Sequence, residues 1–197
     1  MIAGGLATRY GGTPKGLLEV GGRRLLDRVA ETLEAAVGVA PALYANAPDA
    51  ASWRPGLTVR PDVVPGIGAL GGILTAVEAA APVVCVAWDM PFVPAALLRT
   101  LAAGLADADV VIPESGSHRG LEPLCAAYGR ACGPAIRAAL ARGDHRAIGF
   151  HAQVRVARLP AAVVLKYGDP DVLFFNVNAP EDLQQAEALC RARDSSR

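Results

Sequence analysis

Two cations set among glycines open the chain. The first sixteen residues, MIAGGLATRYGGTPKG, hold five glycines, Arg9 and Lys15, and no acid. Glycines such as Gly4 and Gly5 let a backbone come close to a ligand, and Arg9 and Lys15 supply charge to face an anion. The stretch therefore reads as a phosphate cradle. Spacing excludes two familiar forms of one. There is no GxGxxG, because Gly4 and Gly5 are adjacent and the next glycines are Gly11 and Gly12. There is no GxxxxGK[ST], because Lys15 follows Pro14 and precedes Gly16. A hydride-transfer enzyme and a P-loop ATPase are both disfavoured. Further candidates close apolar runs: Asp89 follows Val83 to Trp88, and Asn176 and Asn178 follow Val172 to Phe175.

The elements that must position these residues alternate. From Arg23, the apolar positions Leu25, Leu26, Val29, Leu33, Ala36 and Val37 recur at helical spacing. Val83 to Trp88 is a continuous β-rich run, the pattern of a parallel strand covered on both faces. Pro94 suits a first helical turn, Leu97, Leu98, Leu101 and Leu105 continue it, and Asp109 to Ile112 resumes as strand. Leu124 to Tyr128 predicts a strand, Ile136 and Leu140 a helix stopped by Gly143, and Val154, Val156 and Leu159 an edge strand. Val172 to Phe175 reads as a last strand, and an acidic first turn, Pro180-Glu181-Asp182, starts a last helix along Leu183, Ala186 and Cys190. The expected fold is α/β: a Rossmann-like three-layer sandwich, mostly parallel sheet with helices on both faces. Ligands then bind beyond the carboxyl ends of the strands, which would bring the opening loop, Asp89 and the two asparagines to one cleft.

Composition bounds the partners. A chain of 197 residues that is 52% hydrophobic has enough core for one domain, residues 1–192, with 193–197 as a frayed tail. Net charge is zero, with 19 basic and 19 acidic residues, so nothing recommends nucleic acid or an anionic membrane. The run from Ala79 to Trp88 is far shorter than the roughly 18 residues of a membrane span, and the opening lacks the features of a signal peptide. A cytoplasmic protein is expected. Cys85, Cys125, Cys132 and Cys190 form no CxxC pair and read as buried thiols. His118, His145 and His151 show no ligand spacing and read as surface or satisfied loop residues.

The opening, IAGGLATRYGGTPKG, resembles that of the molybdenum cofactor guanylyltransferases. The resemblance continues in order at GALGGI (Gly68 to Ile73), WDMPFVP (Trp88 to Pro94), LEPLCAAY (Leu121 to Tyr128) and FFNVNAPEDL (Phe174 to Leu183), and so spans almost the whole chain. It implies a nucleotidyltransferase-type fold and transfer of GMP from GTP to molybdopterin or the molybdenum cofactor, with release of pyrophosphate. It also implies exchange with cofactor-synthesis and molybdoenzyme-maturation proteins. Such a transfer needs the acceptor's own phosphate aligned with the α-phosphate of the triphosphate and the leaving charge neutralised, with no protein nucleophile. Arg9 and Lys15 would offset triphosphate charge, Gly4 and Gly5 would offer main-chain N–H groups, and Asp89 would hold Mg²⁺ between phosphate oxygens. Arg9, Lys15 and Asp89 are thus the catalytic candidates. The resemblance places nucleotide contacts at Ile2, Ala3, Gly4, Lys15, Asn46, Asp62 and Asp89, and acceptor contacts at Asn176 and Asn178.

Each residue has a plainer reading. The glycines make a tight turn, Arg9 and Lys15 are solvated charges, Asp89 caps the helix near Pro94, and Asn178 caps the last helix. Three departures from the family stand out. Pro14 occupies the place of an acid, Tyr10 that of a methionine, and Trp88 that of a small or thiol residue. Only Met1 and Ile2 precede the glycine motif where the family has several apolar residues, so the first central strand is expected to be cut short. The second glycine of IAGG favours GTP, since cytidylyl relatives commonly read LAAG there. A CTP-using enzyme, a sugar-phosphate nucleotidylyltransferase and a non-catalytic nucleotide-binding module remain as alternatives.

Overall fold

The computed structural model describes residues 1–3, 13–116 and 120–194. Gly4, Gly5, Arg9 and Tyr10 of the opening, and His118, lie outside the described residues. A short hairpin, β1 (Glu19–Val20) and β2 (Arg23–Arg24), leads into α1 (Leu25–Val37). Then follow β3 (Ala42–Tyr44), β4 (Thr58–Arg60), α2 (Ala69–Ala80), β5 (Val83–Val86), α3 (Ala95–Ala103), β6 (Val110–Pro113), β7 (Cys125–Tyr128) and α4 (Cys132–Ala141). The chain closes with β8 (Val156–Leu159), two single-turn helices, α5 (Ala161–Val164) and α6 (Pro170–Leu173), and α7 (Pro180–Asp194). No helix among the described residues is long and apolar enough to cross a membrane.

Ile2 stitches the sheet together. It bridges Tyr44 on one side and Ala87 on the other, both parallel. Its amide donates to Val86 O at 2.9 Å and its carbonyl accepts from Trp88 at 3.1 Å, while Ala3 donates to Tyr44 O at 2.9 Å. The strand order is thus β4, β3, the Ile2 segment, β5, β7, β6, β8. The expected mostly parallel sheet is found, with one exception. β7 runs antiparallel to both β5 and β6, because no helix separates it from β6 and a direct return reverses direction. The start of β7 therefore lies at the same sheet edge as the carboxyl ends of its neighbours.

Alternation along the strands fills two cores, one on each face. Val86 and Val111 face the core built with Leu26, Val29 and Leu33 of α1 and Leu97, Leu98 and Leu101 of α3. Cys85, Val110 and Ile112 face the opposite core, with Leu70, Ile73 and Leu74 of α2 and Ile136 and Ala139 of α4. A third cluster, Val20, Leu25, Phe92, Val177, Ala186 and Cys190, seats α7 against the hairpin. All four cysteines are buried thiols, as expected. Gly38 and Gly143 close α1 and the turn after α4 in left-handed conformations, φ +74° and +75°.

One strand assignment is corrected. Val172 and Leu173 are not strand but the end of α6, because Asp169 accepts from the amide of Asp171 and Pro170 sits at the first helical position. Local capping overrides the apolar run there. At the end of the chain α7 continues through Arg193, whose guanidinium stacks 5.5 Å from the ring centre of Phe92.

His151 is not a simple surface residue. Its Nε2 is buried without a hydrogen-bond partner among the described residues, and its ring meets Phe150 edge-on at 4.9 Å. Burial first, and Arg158 second, lower its pKa from 6.5 to about 4. The unfolded chain then binds the extra proton across that window, so stability falls as pH drops from 6.5 towards 4 and levels off below. Urea midpoints measured at about pH 7 and about pH 5 should show the decline, and His151→Phe should flatten it.

Candidate active site

Lys15 stands at the start of a 3₁₀ turn, Lys15–Leu17, that follows the extended Pro14. It is 8% exposed, and Asp89, in the turn after β5, is 7% exposed. Lys15 Nζ lies 3.3 Å from Asp89 Oδ2 and donates to Asn178 Oδ1 at 2.6 Å. The segment carrying Asn178 is fixed to the same turn, because the amide of Val177 donates to the Asp89 carbonyl at 3.0 Å. Two residues distant in sequence, Asp89 and Asn178, thus share the Lys15 cation. Asp182 Oδ2 accepts from the amides of Asn178 and Ala179 at 2.7 and 2.8 Å, as a capping carboxylate does. The side-chain oxygen of Asn178 is turned to Lys15.

Burial pushes the Asp89 carboxyl above its usual pKa of 3.8, and the charge and hydrogen bond of Lys15 oppose that rise. A buried pair of this kind is weak evidence for stability, since desolvation offsets most of the Coulomb gain. What it provides is a fixed ammonium and a fixed carboxylate side by side. The ammonium suits phosphate oxygens, and the carboxylate suits a hard divalent cation.

A second pair flanks the Ile2 segment. Asn46, just past β3, donates from Nδ2 to Asp62 Oδ2 at 2.8 Å and accepts at Oδ1 from the Asp62 amide at 2.8 Å. Both residues follow strands that run parallel to Ile2, so they sit at the same carboxyl edge as Asp89. The GALGGI block forms the start of α2 beneath them. A Cβ on Gly71 would stand 2.9 Å from Val64 O and 3.5 Å from Asp62 Oδ2, and one on Gly72 would stand 2.7 Å from Ile2 Cγ2. Only glycine lets the helix approach so closely. Ile2 spends its amide and carbonyl on the sheet, and Ala3 spends its amide there. Asn176 is half-buried, and its Nδ2 donates to Phe174 O at 2.8 Å.

Sequence reasoning passed over Glu122. It is 5% exposed just ahead of β7, at the edge where Asp89 lies, and it accepts from Ser115 Oγ at 2.6 Å. The signal was an acid inside the apolar block LEPLCAAY. At the opposite edge of the sheet lies a groove of about 890 Å³, lined among others by Met1, Leu33, Val37, Val84 and Ala106. It holds none of the candidate site residues. Among the described residues no three of His, Cys, Asp and Glu gather into a metal-binding group.

Known proteins resemble this chain along nearly its whole length. The family model for a MobA-like NTP transferase domain matches residues 1–156. A probable molybdenum cofactor guanylyltransferase of Pelotomaculum thermopropionicum is 36% identical over 191 residues, which covers 96% of this chain and 91% of the relative. The molybdenum cofactor guanylyltransferase of Desulfosudis oleivorans is 34% identical over 197 residues, covering 98% and 95%. The crystal structure of molybdopterin-guanine dinucleotide biosynthesis protein A from Archaeoglobus fulgidus superposes with a TM-score of 0.81 at 26% identity, covering 97% of each chain. With the family model on most of its length and relatives 34% and 36% identical along nearly all of it, the chain belongs to the molybdenum cofactor guanylyltransferases, within the MobA-like NTP transferases.

Proposed function

We propose that this chain transfers GMP from GTP to molybdopterin or the molybdenum cofactor, at the sheet edge where Lys15, Asp89 and Asn178 meet. The observation that carries the site assignment is that meeting itself: a buried ammonium held between a carboxylate 3.3 Å away and an amide oxygen 2.6 Å away. An oxygen of the acceptor's phosphate attacks the α-phosphorus of GTP. A new P–O–P linkage forms, the bond from the α-phosphorus to the oxygen bridging to the β-phosphate breaks, and pyrophosphate departs with that electron pair. The protein's part is positioning and charge compensation.

Lys15 exchanges its contact with Asp89 for triphosphate oxygens and carries the charge that builds on the leaving pyrophosphate. Asn46 and Asp62 hold the nucleoside beside the backbone of Ile2 and Ala3, and the main-chain N–H groups of Gly4 and Gly5 are assigned to the nucleotide as the family resemblance implies. Arg9 is assigned a share of the triphosphate charge, the role that the family resemblance implies for it. Asn176 and Asn178 serve the pterin side, where amides suit both the ring edge and the phosphate. Asp89 fits Mg²⁺, because one carboxylate beside a triphosphate is enough for an ion that takes its remaining oxygens from phosphate and water. When bound there, the ion supplies Lewis-acid compensation of phosphate charge.

The test is pyrophosphate release from purified protein with molybdopterin, Mg²⁺ and either GTP or CTP. GTP should be turned over at least tenfold faster than CTP at equal concentration, a difference of about 1.4 kcal/mol. Preferential use of CTP would overturn the guanylyl assignment, and absence of release with both would overturn the activity.

A further inference from the structure

Lys15 is delivered to Asp89 by a single short turn, whose Leu17 packs on the core beside α1. The 3₁₀ turn is closed by two backbone bonds, Leu17 N to Pro14 O and Leu18 N to Lys15 O, both 3.0 Å. A lysine side chain has about 2 kcal/mol of rotamer entropy to lose in settling on one partner. Next to it, Gly16 lies against the six-membered ring of the Trp88 indole. A Cβ on Gly16 would stand 2.3 Å from Cε3, 2.8 Å from Cζ3 and 3.0 Å from Cδ2 of that ring. No side chain fits there unless the ring moves.

The ring is itself braced from behind. Trp88 stacks on Trp53 at 5.1 Å between centres and 27° between planes. Trp53 is fixed by its Nε1 bond to Asp49 Oδ2 at 2.9 Å and by Arg24, which donates to its carbonyl at 2.8 Å. The amide of Trp88 is anchored on Ile2. Trp88 also immediately precedes Asp89, so one residue touches the turn that bears the ammonium and adjoins the carboxylate. Its Nε1 is buried and has no hydrogen-bond partner among the described residues. The indole therefore contributes shape rather than a hydrogen bond.

We infer that Trp88 is a positioning residue: its braced ring seats the Gly16 backbone and thereby aims Lys15 between Asp89 and Asn178. The inference rests on the proposed function for its catalytic consequence, and on geometry alone for its effect on Lys15. Phenylalanine keeps an aromatic ring in contact with Gly16 and should serve, whereas leucine should not.

The chain has only two lysines, which gives a readout independent of turnover. Lys15 is buried and Lys166 is exposed, so mass spectrometry after brief treatment with an amine-acylating reagent compares the two within one molecule. Trp88→Leu should raise Lys15 labelling relative to Lys166 at least tenfold, and Trp88→Phe should leave it within threefold. In pyrophosphate release, Trp88→Leu should lower kcat about 30-fold with the KM for GTP changed less than threefold, and Trp88→Phe should restore most of the rate. Gly16→Ala should cost about tenfold in the parent and less than twofold once residue 88 is leucine. Added to Lys15→Met, Trp88→Leu should cost less than twofold more.

Lys15 labelling unchanged in Trp88→Leu, or a Gly16→Ala penalty indifferent to residue 88, would overturn the inference. If Trp88→Leu does not fold by circular dichroism, the comparison of Gly16→Ala with the parent decides by labelling alone: protected Lys15 in that variant overturns it, exposed Lys15 upholds it. Should the parent show no guanylyl transfer while labelling behaves as expected, the functional reading falls and the positioning stands.

Discussion

Lys15→Met is expected to lower kcat/KM for guanylyl transfer about 1,000-fold, roughly 4 kcal/mol of transition-state stabilisation. Methionine matches the stem of lysine and keeps the packing of the buried site, so the loss measures the charge. A second effect adds to the first. With the ammonium gone, only a backbone hydrogen bond still opposes the burial of Asp89, and its carboxyl, already above 3.8, rises further. A folded state that keeps a proton the unfolded chain has released is destabilised as pH rises from 3.8 through the folded-state value. Urea denaturation should therefore find Lys15→Met clearly weaker than the parent at about pH 7.5 and close to it at about pH 4. Arginine is not a substitute. Its planar fork is too broad for a slot bounded by Asp89, Asn178 and the Gly16 turn, and Lys15→Arg should regain less than about a tenth of the activity. A variant of Lys15 with near-normal turnover would remove the ammonium from the mechanism.

Much of this arrangement was legible in the residues themselves. An apolar strand ending in an acid announced Asp89, and lysine among glycines announced Lys15, because both signals are local. Asn178 was legible only as an open choice between cap and site. The structure gives backbone capping to Asp182, four positions on, and leaves the Asn178 side-chain oxygen to Lys15. Short elements escaped for a physical reason: β3 and β4 have three residues each, too few for any periodicity, and are held by pairing with their neighbours and with Ile2. Val172 to Phe175 misled because Asp169 and Pro170 decide the local backbone before hydrophobicity does. The contact of Gly16 with Trp88 had no sequence signal at all, since it joins two distant turns that only the folded sheet brings together. Trp88 was visible as a departure from the family, without a reason attached.

Asp89→Asn tests the other half of the pair, and its expected signature differs from a simple loss of structure. The amide keeps the shape, keeps an oxygen for Lys15 at the 3.3 Å position, and removes a carboxylate whose burial is unfavourable. The variant should fold, with a thermal midpoint within about 4 °C of the parent, the shift that roughly 1 kcal/mol produces in a domain of this size. Transfer in the presence of Mg²⁺ should nevertheless fall at least about 1,000-fold, because an amide oxygen is a poor ligand for so hard an ion. Equilibrium titration with GTP separates this from a damaged nucleotide site. Without metal, the variant should bind GTP as tightly as the parent or more tightly, since a negative charge facing the triphosphate has been deleted. With Mg²⁺ added, affinity should rise about tenfold in the parent and stay nearly level in the variant. Weak GTP binding under both conditions would mean that Asp89 shapes the nucleotide site instead of holding a cation. Retention of a tenth or more of the Mg²⁺-dependent rate would leave the ion to other ligands, with Asp89 reduced to the partner that keeps Lys15 in place.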